Sequence, residues 1–218
     1  VLKKPSRSWF ERTLKLGPFA LTTGRTLFPA SPDLSRVDPV FAMTAFEIAQ
    51  SRHAVFSEHL RNLIRTCRVD DNARTSPEVS RAFLAILNNP DALSETLVLM
   101  KELRFLGRYL PEFRTIQALA RHDYYHLYTV DEHILLAIKN LQVLWFGSFP
   151  SLIALSDAFR AISKRWVLFL AVLLHDLGKA FRDGHELKGV ALARNILARL
   201  DVQGDDRDRI LFLIENHL

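Results

Sequence analysis

The chain has 218 residues, 49% of them apolar and 24% charged, which is enough to bury a real core as one large domain or two small ones. A formal charge of +5 and a pI near 9.6 suit either an anionic partner or solvated arginine-rich helix faces, and the basic residues are dispersed, not clustered. A single cysteine, Cys67, excludes an internal disulfide and points to a reducing, cytoplasmic setting with the thiol as a small buried apolar group; no segment reads as a signal peptide, and the longest apolar run, Val167 to Leu174, is too short to span a bilayer.

Few glycines and prolines, and little β-branched alternation, predict an all-α protein: a multi-helix bundle preceded by a helical subdomain. Residues 1–37 are broken by Pro5, Gly17, Pro18, Gly24, Pro29 and Pro32 and read as an irregular segment following something upstream, with one short strand near Phe19–Thr22. Asp38-Pro39 is a helix start, Asp as N-cap and Pro at the first turn, followed by Phe41, Ala45, Ile48 and Ala49 at helical spacing. A helix is expected over Ser57 to Thr66 and another from Ser76-Pro77-Glu78. A further one should start at Asn89-Pro90-Asp91 and carry Leu93, Leu97, Met100, Leu103 and Leu106 to a cap at Gly107, with Pro111 preventing its return.

Thr129-Val130-Asp131-Glu132 matches a capping box and opens a helix through Ile134, Leu135, Ile138 and Leu141. Residues 146–151 read as a loop. Helices are then expected over Ser156–Ser163, over Arg165–Leu177 (apolar on nearly every side and therefore central), from about His185 to Leu200, and from about Asp205 onward. The domain division expected is 1–37, 38–110 and 111–218; no repeat or low-complexity tract interrupts it.

The apolar run ends in His175-Asp176-Leu177-Gly178-Lys179. A carboxylate and an imidazole buried without partners at the end of a core helix are costly, and a divalent cation offsets that cost by binding both. His133 in the first turn of the capped helix, His185 one loop beyond His175, and His217 near the end complete the order His, His-Asp, His, His. One such histidine is most simply a core or surface residue; the set points to a metal site. Imidazole and carboxylate ligands suit Mn, Fe, Zn, Co or Mg, and the sequence does not choose among them.

That order resembles the HD phosphohydrolase superfamily. Two longer stretches, Leu103-Arg104-Phe105-Leu106-Gly107-Arg108-Tyr109-Leu110-Pro111-Glu112-Phe113 and His122-Asp123-Tyr124-Tyr125-His126-Leu127-Tyr128-Thr129-Val130-Asp131-Glu132-His133, resemble the PII uridylyltransferase/uridylyl-removing enzymes of bacterial nitrogen regulation. The run Asp38 to Gln50 and the pair Asp70-Asp71 add to the likeness, which covers roughly residues 15–218. That family carries a nucleotidyltransferase domain with a Gly-Ser motif, two ACT domains and a final Asp ligand on a later helix; none is visible here, so the chain reads as a middle piece whose HD domain is truncated at its C-terminal end. It departs from the family at Ala180-Phe181-Arg182-Asp183-Gly184, where a Gly-rich Arg-Gly-Gly-Asp run is usual.

The resemblance implies phosphodiester hydrolysis that removes UMP from uridylylated PII signalling protein. It implies that His133, His175 and Asp176 hold a first metal, that His185 and His217 bind a second metal or the phosphate, and that Asp176 and Lys179 act in catalysis, Lys179 by steadying phosphoryl oxygens. His122 and His126, four apart, are expected beside the substrate; Tyr124, Tyr125 and Tyr128 stack on uracil or pack in the core. No function is assigned to His53 or His59. No membrane is expected as a partner, and nucleic acid is disfavoured. The alternatives are an HD hydrolase of other nucleotides or RNA ends, and a non-catalytic regulatory HD bundle.

Overall fold

The computed structural model describes residues 13–119, 128–181 and 183–217. Its first elements are strands. β1 (Thr13–Leu16), β2 (Phe19–Thr22) and β3 (Thr26–Pro29) form an antiparallel meander, and β4 (Val55–Phe56) joins β3 in parallel. The all-α expectation is therefore corrected: the fold is mostly helical with a small four-stranded sheet. Only β2 is anticipated by the sequence, because strands of four residues or fewer carry too little alternation to read. Phe19 on β2 is fully buried, its ring 4.3 Å from that of Phe41, so the sheet is stitched to the first helix.

The predicted start signals work as hydrogen bonds. α1 (Pro39–Arg52) is capped by Asp38, whose carboxylate accepts from the Phe41 N–H at 2.7 Å. Ser57 caps α2 (Glu58–Thr66), Asp70 caps the short α3 (Asp71–Arg74) and Ser76 caps α4 (Pro77–Asn88). Cys67 is buried, and burial pushes its thiol up to about 11. Buried polar side chains here are taken up by backbone. Gln50 donates to the carbonyls of Ile86 and Asn89 at 3.1 and 2.8 Å, tying α1 to the end of α4. Arg108 donates to the carbonyls of Ile64 and Leu103 at 2.8 and 3.1 Å, closing the open end of α2.

α5 (Leu93–Glu102) departs from expectation at both ends. Asn89 does not cap it; its side chain accepts from the Asp91 N–H at 3.1 Å in a local turn, and the helix starts at Ala92 without a side-chain cap. Nor does Gly107 end it. The chain turns at Arg104, whose φ of +56° is left-handed, with Arg104 N–H donating to Lys101 and Phe105 N–H to Met100, both at 2.8 Å: a Schellman motif with arginine in the glycine position. Gly107 lies instead inside the short α6 (Leu106–Tyr109), pressed against Arg114 of α7 (Pro111–Ile116).

α8 (Val130–Phe146) opens with the expected capping box, Glu132 accepting from the Thr129 N–H at 3.1 Å, and ends at Gly147. A 3-10 turn (Pro150–Leu152) leads to α9 (Ile153–Arg160), three residues earlier than predicted. α10 (Arg165–Leu174) stops three residues short of the predicted Leu177, and a 3-10 turn (Leu177–Ala180) follows. α11 (His185–Arg199) and α12 (Gly204–Glu215) lie as expected.

One continuous apolar core runs from α1, α4 and α5 to α8, α10, α11 and α12. α10 is its axis, packed on α4, α8 and α12, with Val167, Phe169, Leu170, Ala171, Leu173 and Leu174 buried. Each large side chain of that kind contributes about 1.5–3 kcal/mol. Glu112 of α7 and Arg199 of α11 add a two-pronged ion pair, at 2.6 and 2.8 Å, between the earlier helices and the last ones. Among the described residues no helix is long and apolar enough to cross a membrane.

Candidate metal centre

The end of α10 delivers two polar side chains from an apolar helix. His175 follows Leu174 directly, and Asp176 begins the turn into the 3-10 segment. Asp176 is 2% exposed. Its Oδ2 lies 3.1 Å from His175 Nε2, 2.8 Å from Lys179 Nζ and 3.7 Å from His133 Nε2. His133 comes from the first turn of α8, so residues 42 positions apart in sequence (175 − 133) meet at one carboxylate.

The other ring nitrogens explain why these imidazoles face inward. His175 Nδ1 is 2.7 Å from the Val172 carbonyl and His217 Nδ1 is 2.5 Å from the Ile214 carbonyl. A carbonyl can only accept, so each Nδ1 carries a proton and each Nε2 is turned toward Asp176, where it donates to the carboxylate when protonated and can bind a cation when not. His217 Nε2 approaches Asp176 Oδ1 at 3.7 Å, and its ring lies edge-on to His175 with centroids 4.9 Å apart.

Burial on its own raises the Asp176 carboxyl, but the hydrogen bond and charge of His175, together with Lys179, outweigh it and hold the group well below the usual carboxylate range. The group is thus a carboxylate at neutral pH, as a ligand must be.

The donor set fits a divalent ion. One ligand atom each from His133, His175 and Asp176 lie within 4.8 Å of one another. Ligands about 2.1 Å from an ion sit about 3 Å apart at right angles, which is the His175–Asp176 separation found here; His133 lies slightly wider. Two imidazole nitrogens held by Nδ1 bonds or helix geometry, and one buried carboxylate, suit the hard-to-borderline first-row ions and Mg.

Of the predicted residues, the structure gathers His133, His175, Asp176 and Lys179 around one point, with His217 at its edge. All five line a cavity of about 480 Å³ whose remaining wall is apolar except for Asn216, with Leu168, Val172 and Phe212 among its apolar residues. His185 does not line that cavity; it lines an adjoining narrow cleft of about 20 Å³ together with His175, Asp176, Lys179 and His217. His122 and His126 lie outside the described residues.

Gly178 is a functional position that reasoning on ligands alone overlooks. A Cβ there would sit 1.8 Å from the His185 carbonyl oxygen and 2.9 Å from the Gly189 nitrogen. The first turn of α11 therefore rests on the bare backbone of Gly178, and that contact fixes the turn carrying Asp176 and Lys179. The sequence signal was available, a glycine between two functional residues followed by another eleven positions on, but spacing alone does not show that the two meet.

Fold and cluster together define a mostly helical protein with a His/Asp centre at the end of its central helix. More particularly, residues 21–109 match the family model described as the uridylyltransferase GlnD third domain. The chain is similar to bifunctional uridylyltransferase/uridylyl-removing enzymes of Nitrobacter hamburgensis (35% identical over 193 residues, 87% of this chain and 21% of that protein), Burkholderia pseudomallei strain 1106a (32% over 222 aligned residues, 98% and 25%) and Nitrobacter winogradskyi (33% over 222, 100% and 24%). It is a relative of these enzymes and spans between a fifth and a quarter of their length.

Proposed function

We propose that this chain carries a metal-dependent phosphohydrolase site of the HD type and, as part of a longer bifunctional enzyme, removes UMP from uridylylated PII signalling protein in the cytoplasm. The observation that carries this reading is the convergence of His133, His175 and Asp176 on one point beside Lys179. The relatives are uridylyl-removing enzymes, which suggests the reaction; the PII substrate comes from the motif resemblance.

His133, His175 and Asp176 would hold a divalent ion, Mn or Mg first, which when bound would supply acidified water near neutral pH and offset charge on the phosphoryl group. The chain's own residues do the rest. Asp176 supplies the negative charge that draws the cation in. Lys179, 2.8 Å from that carboxylate, is close enough to reach a phosphoryl oxygen at the same place. His217 and His185, which share a cleft with Asp176, would hold the phosphate or a second ion. His122 and His126 are proposed to line the substrate side. The division near residue 110 separates, in this reading, the helical subdomain from the hydrolase region.

One observation favours a second reading. Lys179 satisfies Asp176 without a cation, as it would in a regulatory bundle that does no chemistry. Two measurements on the intact protein decide. His175→Ala or Asp176→Ala should reduce UMP release from uridylylated PII by at least ~10³-fold, read by mass spectrometry of PII, with uridylylation itself retained. Undiminished release removes the hydrolase site; absence of Mn or Mg uptake by calorimetry, unaltered by His175→Ala, favours the regulatory bundle.

A further inference from the structure

The cluster needs a cause for the position of His133. Its side chain is half-exposed and sits in the first turn of α8, where helices fray. The turn is nevertheless anchored, by Asp131. That carboxylate is 1% exposed and engaged on both oxygens. Oδ2 pairs with Lys101 Nζ of α5 at 2.6 Å, while Oδ1 accepts from Thr129 Oγ1 at 2.7 Å and from the Ala118 N–H at 3.1 Å. Ala118 itself holds a left-handed φ of +56°, which aims its N–H at this carboxylate. A second polar tie lies three turns along the same interface: Gln142 accepts from the Ser94 N–H at 2.9 Å and donates to Glu95 at 3.2 Å. α5 and α8 are therefore pinned at two points, and buried polar pairs of this kind fix the register between helices.

We infer that the Lys101–Asp131 pair is a positioning device for the metal centre: α5, from the region that matches the third-domain model, sets where His133 Nε2 stands relative to Asp176. This rests on the reading of His133 as a metal ligand. Asp131 touches no substrate and no ion; it acts through the turn it holds. Loss of such outer partners weakens metal binding about 10–100-fold.

The test uses the full chain with Mn²⁺ as probe. Asp131→Asn and Lys101→Met are compared with His133→Ala and with Gln142→Ala, which loosens the same helix pair far from the first turn. Mn²⁺ affinity is read by calorimetry, the His133 imidazole by NMR, and the fold by thermal unfolding. The expected result is a roughly tenfold or greater loss of Mn²⁺ affinity and a shifted His133 resonance in Asp131→Asn and Lys101→Met, with Gln142→Ala binding Mn²⁺ as the wild type does despite a similar loss of stability. Lys101→Met, whose site is partly exposed, keeps the comparison open if Asp131→Asn unfolds. Wild-type affinity in both variants, with His133→Ala impaired, overturns the positioning role alone. Unimpaired binding in His133→Ala overturns the assignment of His133 as a ligand, and the positioning role with it.

Discussion

The helices before residue 110 and those after it handle buried polarity in opposite ways. In the first region Gln50 and Arg108 spend their hydrogen bonds on backbone carbonyls, and Tyr109 pairs with Ser80 at 3.4 Å. Each such group closes an open helix end or a crossing, and the ion pairs of this region, His53–Asp91, Arg61–Glu102, Arg65–Glu58 and Arg74–Asp71, each have at least one largely exposed partner. In the second region the buried carboxylates Asp131 and Asp176 face lysine and histidine side chains. Polar groups satisfied by backbone hold a structure in place; polar groups satisfied by titratable side chains can exchange those partners for a ligand. The contrast marks where chemistry is possible within a single continuous core.

Substitutions sharpen that contrast. The largest stability effect is expected from Gly178→Ala, because the new Cβ meets the His185 carbonyl, which is backbone and cannot swing away. A loss of about 3 kcal/mol or more in denaturant unfolding should come with loss of Mn²⁺ binding, since turn and cluster move together. Gln50→Leu should cost about 1–3 kcal/mol by removing the side-chain donor from the Asn89 carbonyl and from that of Ile86, which keeps only the Asn89 N–H at 3.3 Å, yet leave Mn²⁺ affinity unchanged; a change in affinity would erase the distinction between the regions.

Acid provides a third comparison. Burial raises the Asp131 carboxyl, but the Lys101, Thr129 and Ala118 contacts outweigh it and lower it below its ordinary value. Its contribution is then present at neutral pH and is lost as pH falls below about 4, the unfolded value. Unfolding midpoints at pH 7 and pH 3 should differ less in Asp131→Asn than in the wild type. The smallest effect is a gain. Arg104→Gly relieves a left-handed arginine and should stabilise by at most about 1 kcal/mol, measured as a small rise in denaturant midpoint.

Arg104 also shows why the sequence was readable in part. Starts were legible wherever a short side chain caps its own helix, as at Asp38, Ser57, Ser76 and the Thr129 box, because that signal is local. Ends were less so. α1, α5 and α11 turn through His53, Arg104 and Asp201 in the left-handed region, residues that tertiary packing holds there against their preference, while Gly107 lies inside a helix. β3 pairs with β4 across the whole of α1, a contact no window on the sequence contains. At the site, His133, His175, Asp176 and Lys179 could be named as candidates from residue type and order. The roles of Asp131 and Gly178 could not, since both depend on neighbours brought in from elsewhere: Lys101 from α5 and the His185 carbonyl from α11.

The seam between Gly178 and Gly189 has a further consequence. Their backbones meet with an ideal Cβ on Gly189 only 3.4 Å from the Gly178 Cα, and no side chain lies between them. A joint made of side chains can be rebuilt by trading volume from one partner to another. This one has no volume to trade, so an enlarged residue at position 178 cannot be rescued by shrinking a neighbouring side chain.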